Sequence, residues 1–96
     1  MLFLAICRDK PGHLQLRLDT RDTHVAWLKG LGATLKLAGP FLDDAAETMS
    51  GSLVVVEAAD LGAAKALFAE DPYAKAGLFE SVEVKPWRWT FGNPAA

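Results

Sequence analysis

The stretch SLVVVEAA, residues 52–59, is apolar nearly throughout, and it decides which fold this chain can adopt. A strand with apolar side chains on both faces belongs in a sheet that is covered on both sides. The stretch LFLAIC, residues 2–7, is apolar at every position. We therefore expect these two stretches to form the central strands of one sheet.

Two further stretches alternate between apolar and polar residues and predict half-covered strands. ATLKLAGP, residues 33–40, is expected to end at the Gly39-Pro40 pair, because this pair interrupts a strand. FESVEVKPWRW, residues 79–89, contains Pro86, which cannot donate to a ladder and so restricts this strand to an edge. Both alternating strands are therefore predicted at the edges of the sheet.

Two helices are predicted between the strands. Residues 14–30 carry leucine and valine at near-helical spacing, with Leu14, Leu18, Val25 and Leu28 on the predicted apolar face and Gly30 at the end. Where this helix begins stays open, because three residues are possible N-caps: Asp19, Thr20 and Asp22. Asp60 is expected to cap the second helix, which follows it directly.

The resulting order, β-α-β-β-α-β, predicts a ferredoxin-like α+β fold with antiparallel sheet order 4-1-3-2 and both helices on one face. Residues 1–96 are expected to form a single domain. The face without helices would then expose a contiguous apolar patch, which soluble monomers rarely tolerate. We therefore expect a homodimer that packs sheet face against sheet face.

Composition and charge exclude several classes of function. A formal net charge of −2 argues against a nucleic-acid partner, since that class of protein carries a basic face. No apolar run approaches the roughly 18 residues of a membrane span, and the N-terminus does not resemble a signal peptide. The single cysteine, Cys7, cannot form an internal disulfide, and with His13 and His24 it shows no metal-ligand spacing. We expect a cytoplasmic protein without a metal site.

The predicted topology brings three connections to one end of the sheet: residues 8–16, 39–51 and 70–78. Asp71 lies in the last of these, and His24 lies in the first helix near the same end. A carboxylate that binds one nitrogen of an imidazole fixes its tautomer, and imidazole suits proton transfer near neutral pH. The pair is therefore a candidate acid–base site.

Other polar residues are predicted near the same end. Arg8 follows the first strand, Ser52 begins the third, and Arg17, Arg21 and His24 share one stripe if their region is helical. An arginine there could bind an anionic substrate group.

Each of these residues also has a simpler interpretation. Asp71 before Pro72 can act as a helix stop, and His24 can be a boundary residue of its helix. Ser52 can belong to a turn, Arg17 and Arg21 can be solvated, and Tyr73 can be a packing residue.

The residues also resemble a known family. THVAWLKGLGATLKLAGPFLDD, residues 23–44, and GSLVVVEAADLGAAKALFAEDPYAKAGLFESVEVKPWRW, residues 51–89, are similar to the YciI-like (YCII-related) family. The specific motifs are the histidine of the first helix, AGP at the end of strand 2, GSL at the start of strand 3, DPY after the second helix, and PW in strand 4. The resemblance covers nearly the whole chain.

The resemblance implies a ferredoxin-like dimer of the dimeric α/β-barrel type and an acid–base pair formed by His24 and Asp71. It also implies a lid formed by residues 39–51. Candidate substrate-binding residues, from the motifs and from the convergence of the loops, are Arg8, Arg21, Gly39, Pro40, Ser52 and Tyr73. The expected function is a small enzyme without a cofactor that moves a proton on a small cyclic or anionic metabolite, as a lyase, isomerase or dehydrochlorinase would. The alternative is a dimeric module that binds a small molecule without catalysis.

Overall fold

The computed structural model describes residues 1–94 and shows four strands and three α-helices. In chain order they are β1 (Leu2–Asp9), α1 (Leu14–Gly30), β2 (Leu35–Leu42), β3 (Met49–Glu57), α2 (Leu61–Ala69), α3 (Pro72–Lys75) and β4 (Phe79–Trp87). A short 3₁₀ turn, Gly32–Thr34, joins α1 to β2. Among residues 1–94 no helix combines the length and the apolar character that crossing a membrane requires.

The four strands form one antiparallel sheet in the order β2-β3-β1-β4. This is the predicted order 4-1-3-2 counted from the opposite edge, so the ferredoxin-like α+β fold is confirmed. The two stretches that are apolar on both faces, β1 and β3, occupy the centre. Pro40 in β2 and Pro86 in β4 both lie in edge strands. An edge strand is paired on one side only, so it tolerates a residue without an N–H.

The core lies between the helices and one face of the two central strands. Phe3, Ala5 and Cys7 of β1 and Val54 and Val56 of β3 are buried there and pack with Ala64 and Phe68 of α2. Strand alternation sends Leu4, Ile6, Leu53 and Val55 to the opposite face. On that face Leu4, Ile6 and Leu53 are half-buried, whereas Val55 is fully buried.

Strand β2 does not end at Gly39-Pro40 as predicted but continues through both residues to Leu42. The prediction was wrong because an edge strand tolerates a proline whose nitrogen points away from the ladder. The connection to β3 is consequently a short hairpin turn, in which Asp43 accepts hydrogen bonds from the backbone N–H groups of Glu47 and Thr48. Residues 39–42 and 49–51, predicted to belong to a long lid, are therefore strand.

Helix α1 begins earlier than its candidate caps suggested, and its predicted apolar face is partly wrong. It starts after His13, with no side chain capping its first turn. Leu14 and Leu18 are 39% and 46% exposed, whereas Arg17 is 2% exposed. By contrast, the predicted cap of α2 is confirmed, since an Asp60 carboxylate oxygen accepts a hydrogen bond from the Ala63 N–H at 2.8 Å.

Of the two glycines in the sheet, Gly51 leaves less room for a side chain than Gly39. A Cβ on Gly51 would lie 2.3 Å from the carbonyl oxygen of Cys7 and 3.2 Å from the Phe41 ring. We expect Gly51→Ala to lower the free energy of unfolding by about 1–3 kcal/mol, because backbone must move to relieve the overlap. Urea denaturation measures the change. Gly39→Ala is the matched control, since its Cβ would meet no heavy atom within 4 Å; an equal loss in both variants would contradict the prediction.

Candidate functional site

Asp71 connects a helix start to a histidine. Helix α2 ends at Ala69, and Asp71 is the N-cap of α3, where its Oδ1 accepts a hydrogen bond from the Tyr73 N–H at 2.9 Å. Pro72 follows at the first helical position, which suits its fixed φ and its missing N–H. The same Oδ1 lies 2.7 Å from Nδ1 of His24. The Asp71-Pro72 pair therefore starts a one-turn helix and holds the carboxylate against the imidazole.

The hydrogen bond to Asp71 determines which nitrogen of His24 is free. An ionised carboxylate only accepts hydrogen bonds, so Nδ1 of His24 carries the hydrogen and Nε2 of the neutral ring carries a lone pair. Within residues 1–94 no group makes a hydrogen bond to Nε2. Every fully buried side-chain nitrogen or oxygen of these residues has a partner, so Nε2 is not fully buried. His24 is 7% exposed and lines a cavity. Nε2 is therefore the nitrogen that the cavity can reach.

The ring of Tyr73 contacts both His24 and Arg17. It stacks on the imidazole with centroids 4.0 Å apart and planes 19° apart, and Cζ of Arg17 lies 4.5 Å from its centroid. His24 and Arg17 are separated by two turns of α1, a rise of about 10.5 Å. Burial raises the pKa of the Tyr73 hydroxyl although the nearby arginines act to lower it.

Arg17 is a buried cation with fixed partners. Its Nε and Nη2 donate to the two carboxylate oxygens of Asp9 at 2.6 and 2.9 Å, and Nη2 also donates to Oγ of Ser52 at 2.9 Å. Desolvation acts to lower the pKa of Arg17, but the hydrogen bonds and charge of Asp9 outweigh it, so the pKa is raised. Arg17 therefore stays charged and ties α1 to β1 and β3.

These residues form one wall of a cavity of about 200 Å³ between α1 and the β2–β3 half of the sheet. The lining side chains and backbone come from Arg17, Arg21, His24, Val25, Leu28, Ala38, Gly39, Pro40, Met49, Ser52, Val54 and Tyr73. The buried wall carries the imidazole and the serine hydroxyl, whereas Arg21 and the β2 residues are exposed. The cavity thus opens along the β2 edge.

The structure brings most of the candidate residues together and leaves one out. Five of the six predicted substrate-binding residues line the cavity: Arg21, Gly39, Pro40, Ser52 and Tyr73. Asp71 lies behind His24 and does not line it. Arg8 is exposed, and strand alternation directs it away from the face that carries Cys7 and the helices. Arg8 is therefore not part of this cavity.

Sequence reasoning missed Asp9 and underestimated Arg17. Arg17 was assigned to a possible stripe with Arg21 and His24, but a solvated arginine was the simpler interpretation. Its burial depends on Asp9, eight residues earlier on β1, and no local pattern links the two. One signal was available in the sequence. Asp9 is an acid at the end of a central strand, close to the first turn of the helix that follows.

Cys7 lies beneath this site and is chemically quiet. Burial, followed by the negative charge of Asp71, raises the pKa of its thiol to about 12. A thiol of this kind is almost fully protonated near neutral pH and is a poor nucleophile. Among residues 1–94 no group of three or more His, Cys, Asp or Glu side chains is placed to hold a metal ion.

The sequence relatives identify the family. The YCII-related domain model matches residues 1–88. Protein YciI of Escherichia coli O6:H1 is 38% identical over 98 residues, covering 95% of this chain and all of that protein. The chain belongs to the YCII-related domain family.

Solved structures share the fold. The dehydrochlorinase TftG of Burkholderia phenoliruptrix AC1100, which acts on 5-chloro-2-hydroxyhydroquinone and was solved with 2,5-dihydroxybenzoquinone, is 36% identical. It superposes with a TM-score of 0.85 over 92% of this chain and 94% of its own. A dimeric ferredoxin-like protein of unknown function from Thermobifida fusca shares the fold at 15% identity, with a TM-score of 0.51 over 88% and 85% of the two chains.

The buried Arg17–Asp9 pair predicts a large cost when one partner is removed. We expect Asp9→Asn to lower the free energy of unfolding by about 3–5 kcal/mol, because it leaves a buried cation without its counter-charge. The double variant Arg17→Met/Asp9→Asn should cost less than the sum of the two single variants. Urea denaturation of the wild-type protein, Asp9→Asn, Arg17→Met and the double variant, all at the same protein concentration, gives the coupling free energy between the two residues.

The exposed pair Lys75–Glu70, with side chains 60% and 61% exposed, is the matched control for this cycle. Its coupling should not exceed about 1 kcal/mol. Equal coupling in the buried and the exposed pair would show that burial gives Arg17 no special role.

Proposed function

We propose that this protein is a small cofactor-independent enzyme that moves a proton on a small cyclic substrate with anionic or hydroxyl oxygens. The observation that carries the proposal is the buried Asp71–His24 hydrogen bond of 2.7 Å, which leaves Nε2 for the cavity. In this proposal His24 is the catalytic base. Asp71 is a positioning residue, because it touches the imidazole and does not line the cavity.

The proton transfer uses groups that line the cavity. Nε2 of His24 takes a proton from a C–H or O–H bond of the substrate, and the electron pair stays on the substrate as negative charge on oxygen. Oγ of Ser52 accepts a hydrogen bond from Arg17, so its own hydrogen is free to donate to that oxygen. The Asp71 carboxylate stabilises the imidazolium that forms. In an isomerisation the imidazolium returns the proton to another atom of the substrate. In an elimination a leaving group departs with an electron pair, and the imidazolium then releases its proton to water.

The relative TftG supports this choice of chemistry. Loss of HCl from a ring compound combines removal of a proton with departure of chloride, and so requires a base. Its bound molecule, 2,5-dihydroxybenzoquinone, is a single ring with oxygen substituents. A cavity of about 200 Å³ is smaller than the 300–1,000 Å³ typical of drug-sized ligand sites, which suits a ligand of one ring.

We also propose that the protein is a homodimer through the sheet face on which Leu4, Ile6 and Leu53 are partly exposed. These three side chains come from the two central strands, lie half-buried on the side away from the helices, and surround Val55, which is already fully buried in the single chain. Burial of apolar surface of this kind contributes about 25 cal/mol per Å² before the costs of association. The cytoplasmic location expected from the sequence remains a prediction.

Variants of the acid–base pair test the enzyme. We expect His24→Ala and Asp71→Asn each to lower the rate of proton transfer by 10²–10⁴-fold, the usual contribution of a positioned base. The measurement is a screen of small hydroxylated rings, lactones and carboxylates in D₂O. Deuterium incorporation and product formation are followed by NMR and mass spectrometry.

The second histidine provides the control for this experiment. His13 bonds through Nδ1 to the Pro11 carbonyl oxygen and lies outside the cavity, so His13→Ala should keep the wild-type rate. Full activity in both His24→Ala and Asp71→Asn would refute the proposed base. If compounds bind and raise the melting temperature but show no exchange or turnover, the protein is a binding module.

The oligomeric state tests the dimer independently. Light scattering at micromolar concentration should give twice the 10.3 kDa chain mass for the wild-type protein. Leu53→Lys should give the monomer mass, because it places a charge in the proposed interface. The control, Ala66→Lys, changes an exposed residue of α2 and should stay dimeric. A stable wild-type monomer would contradict the proposal.

A further inference from the structure

The end of the cavity nearest Asp9, called the polar end, has the polar side chains Arg21 and Ser52 beside the apolar Pro40 and Met49, whereas the opposite, apolar end has apolar side chains only. Helix α1 runs antiparallel to β1, so Arg17, Arg21, His24 and Leu28 follow one another from the Asp9 end of the sheet towards its opposite end. On β3 the lining residues follow the same order, with Ser52 before Val54. The polarity of the lining therefore changes along the length of the cavity.

The scale of this change matches one ring. Arg21 and Leu28 are two helical turns apart, a rise of about 10.5 Å, and His24 lies between them. Ser52 and Val54 are separated by about 6.6 Å along the strand. A single ring placed beside His24 can thus direct one substituent to Ser52 and the opposite substituent to Val54.

The polar end favours an anion. No aspartate or glutamate lines the cavity. Arg17 is neutralised by Asp9, but Arg21 has no ion-pair partner within residues 1–94. Ser52 can donate its hydroxyl hydrogen at the same end, because its oxygen already accepts from Arg17. An anionic oxygen placed there meets an uncompensated cation and a donor.

The side chains at the apolar end have no hydrogen-bonding group to offer a substituent. Its side chains belong to Val25, Leu28, Ala38 and Val54, and Val54 is 1% exposed. A hydroxyl buried against such groups loses its water without gaining a partner, whereas a methyl group gains transfer free energy.

We infer that the substrate is a one-ring anion in a fixed orientation. Its anionic oxygen lies at the end formed by Arg21 and Ser52, and a substituent that makes no hydrogen bonds lies at the end formed by Leu28 and Val54. The binding orientation stands on the lining alone. In this orientation the reacting atom of the substrate faces His24, which rests on the proposed function.

Substituted benzoates test the orientation, because the para position lies opposite the carboxylate. For the wild-type protein we expect 4-methylbenzoate to bind about fourfold more tightly than benzoate, the effect of one buried carbon at about 0.8 kcal/mol. We expect 4-hydroxybenzoate to bind at least fivefold more weakly than benzoate, because its hydroxyl would be buried without a partner. Benzamide, which has no charge, should bind more weakly than benzoate. Isothermal titration or NMR titration gives each Kd.

Variants assign the two ends of the cavity. Arg21→Gln should weaken all three benzoates by a similar factor and leave the methyl preference intact. Lys29→Gln removes the same charge from an exposed position of α1 outside the cavity and should change nothing. Val54→Thr, which is nearly isosteric, should reduce the methyl preference and improve binding of 4-hydroxybenzoate. Leu28→Ala should weaken the methyl preference, whereas Leu18→Ala, at an exposed leucine outside the cavity, should not.

Three outcomes would overturn the inference: tighter binding of 4-hydroxybenzoate than of 4-methylbenzoate to the wild-type protein, an unchanged preference in Val54→Thr, or no binding of any benzoate at millimolar concentration. The measurements do not depend on turnover, and His24→Ala should retain the methyl preference. If the preference holds and no proton transfer is found, the enzyme proposal fails and the orientation stands. If turnover is found with the opposite preference, the orientation fails alone.

Discussion

One carboxylate oxygen holds the candidate site together. Oδ1 of Asp71 accepts from the Tyr73 N–H, which starts α3, and from Nδ1 of His24, which lies in α1. The cap fixes the backbone that positions the carboxylate, and Tyr73 stacks on the imidazole that the same oxygen binds. A shift of α3 would therefore disturb the tautomer, the ring stack and the wall of the cavity together. The four residues of α3 are therefore a structural part of the candidate site.

The buried Arg17–Asp9 pair stabilises the fold less than an inward leucine at position 17 would. Two ions removed from water gain little net stability even when they are paired and hydrogen-bonded. The first half of α1 nevertheless directs Arg17 inward and leaves Leu14 and Leu18 exposed. The guanidinium of Arg17 instead fixes the positions of its neighbours, because it donates to the oxygen of Ser52 and contacts one face of Tyr73. A leucine at this position would bury more apolar area and leave both groups without that contact.

The strand order could be predicted because it depends on apolar residues, which are buried by their own character and not through a particular partner residue. Strands that are apolar on both faces must be central, and Pro86 marks an edge. Asp71 and His24 could be placed together because the topology brings their segments to one end of the sheet. The burial of Arg17 could not be predicted, since helical spacing favours an inward leucine and only Asp9, on another element, reverses that preference. Gly39-Pro40 misled for a related reason, because strand termination depends on whether the strand lies at an edge.

The distribution of charge around the cavity separates two roles for arginine that composition cannot distinguish. Arg17 and Arg21 lie one turn apart on α1, yet Arg17 is fully paired and Arg21 has no counter-ion within residues 1–94. A paired, buried guanidinium is rigid and contributes little net field, so it suits the positioning of neighbours. An unpaired, exposed one keeps its field and its donors for a ligand, at the cost of screening by water and salt. The cavity therefore combines a fixed donor framework with one available cation, and the proposed recognition of an anion depends chiefly on Arg21.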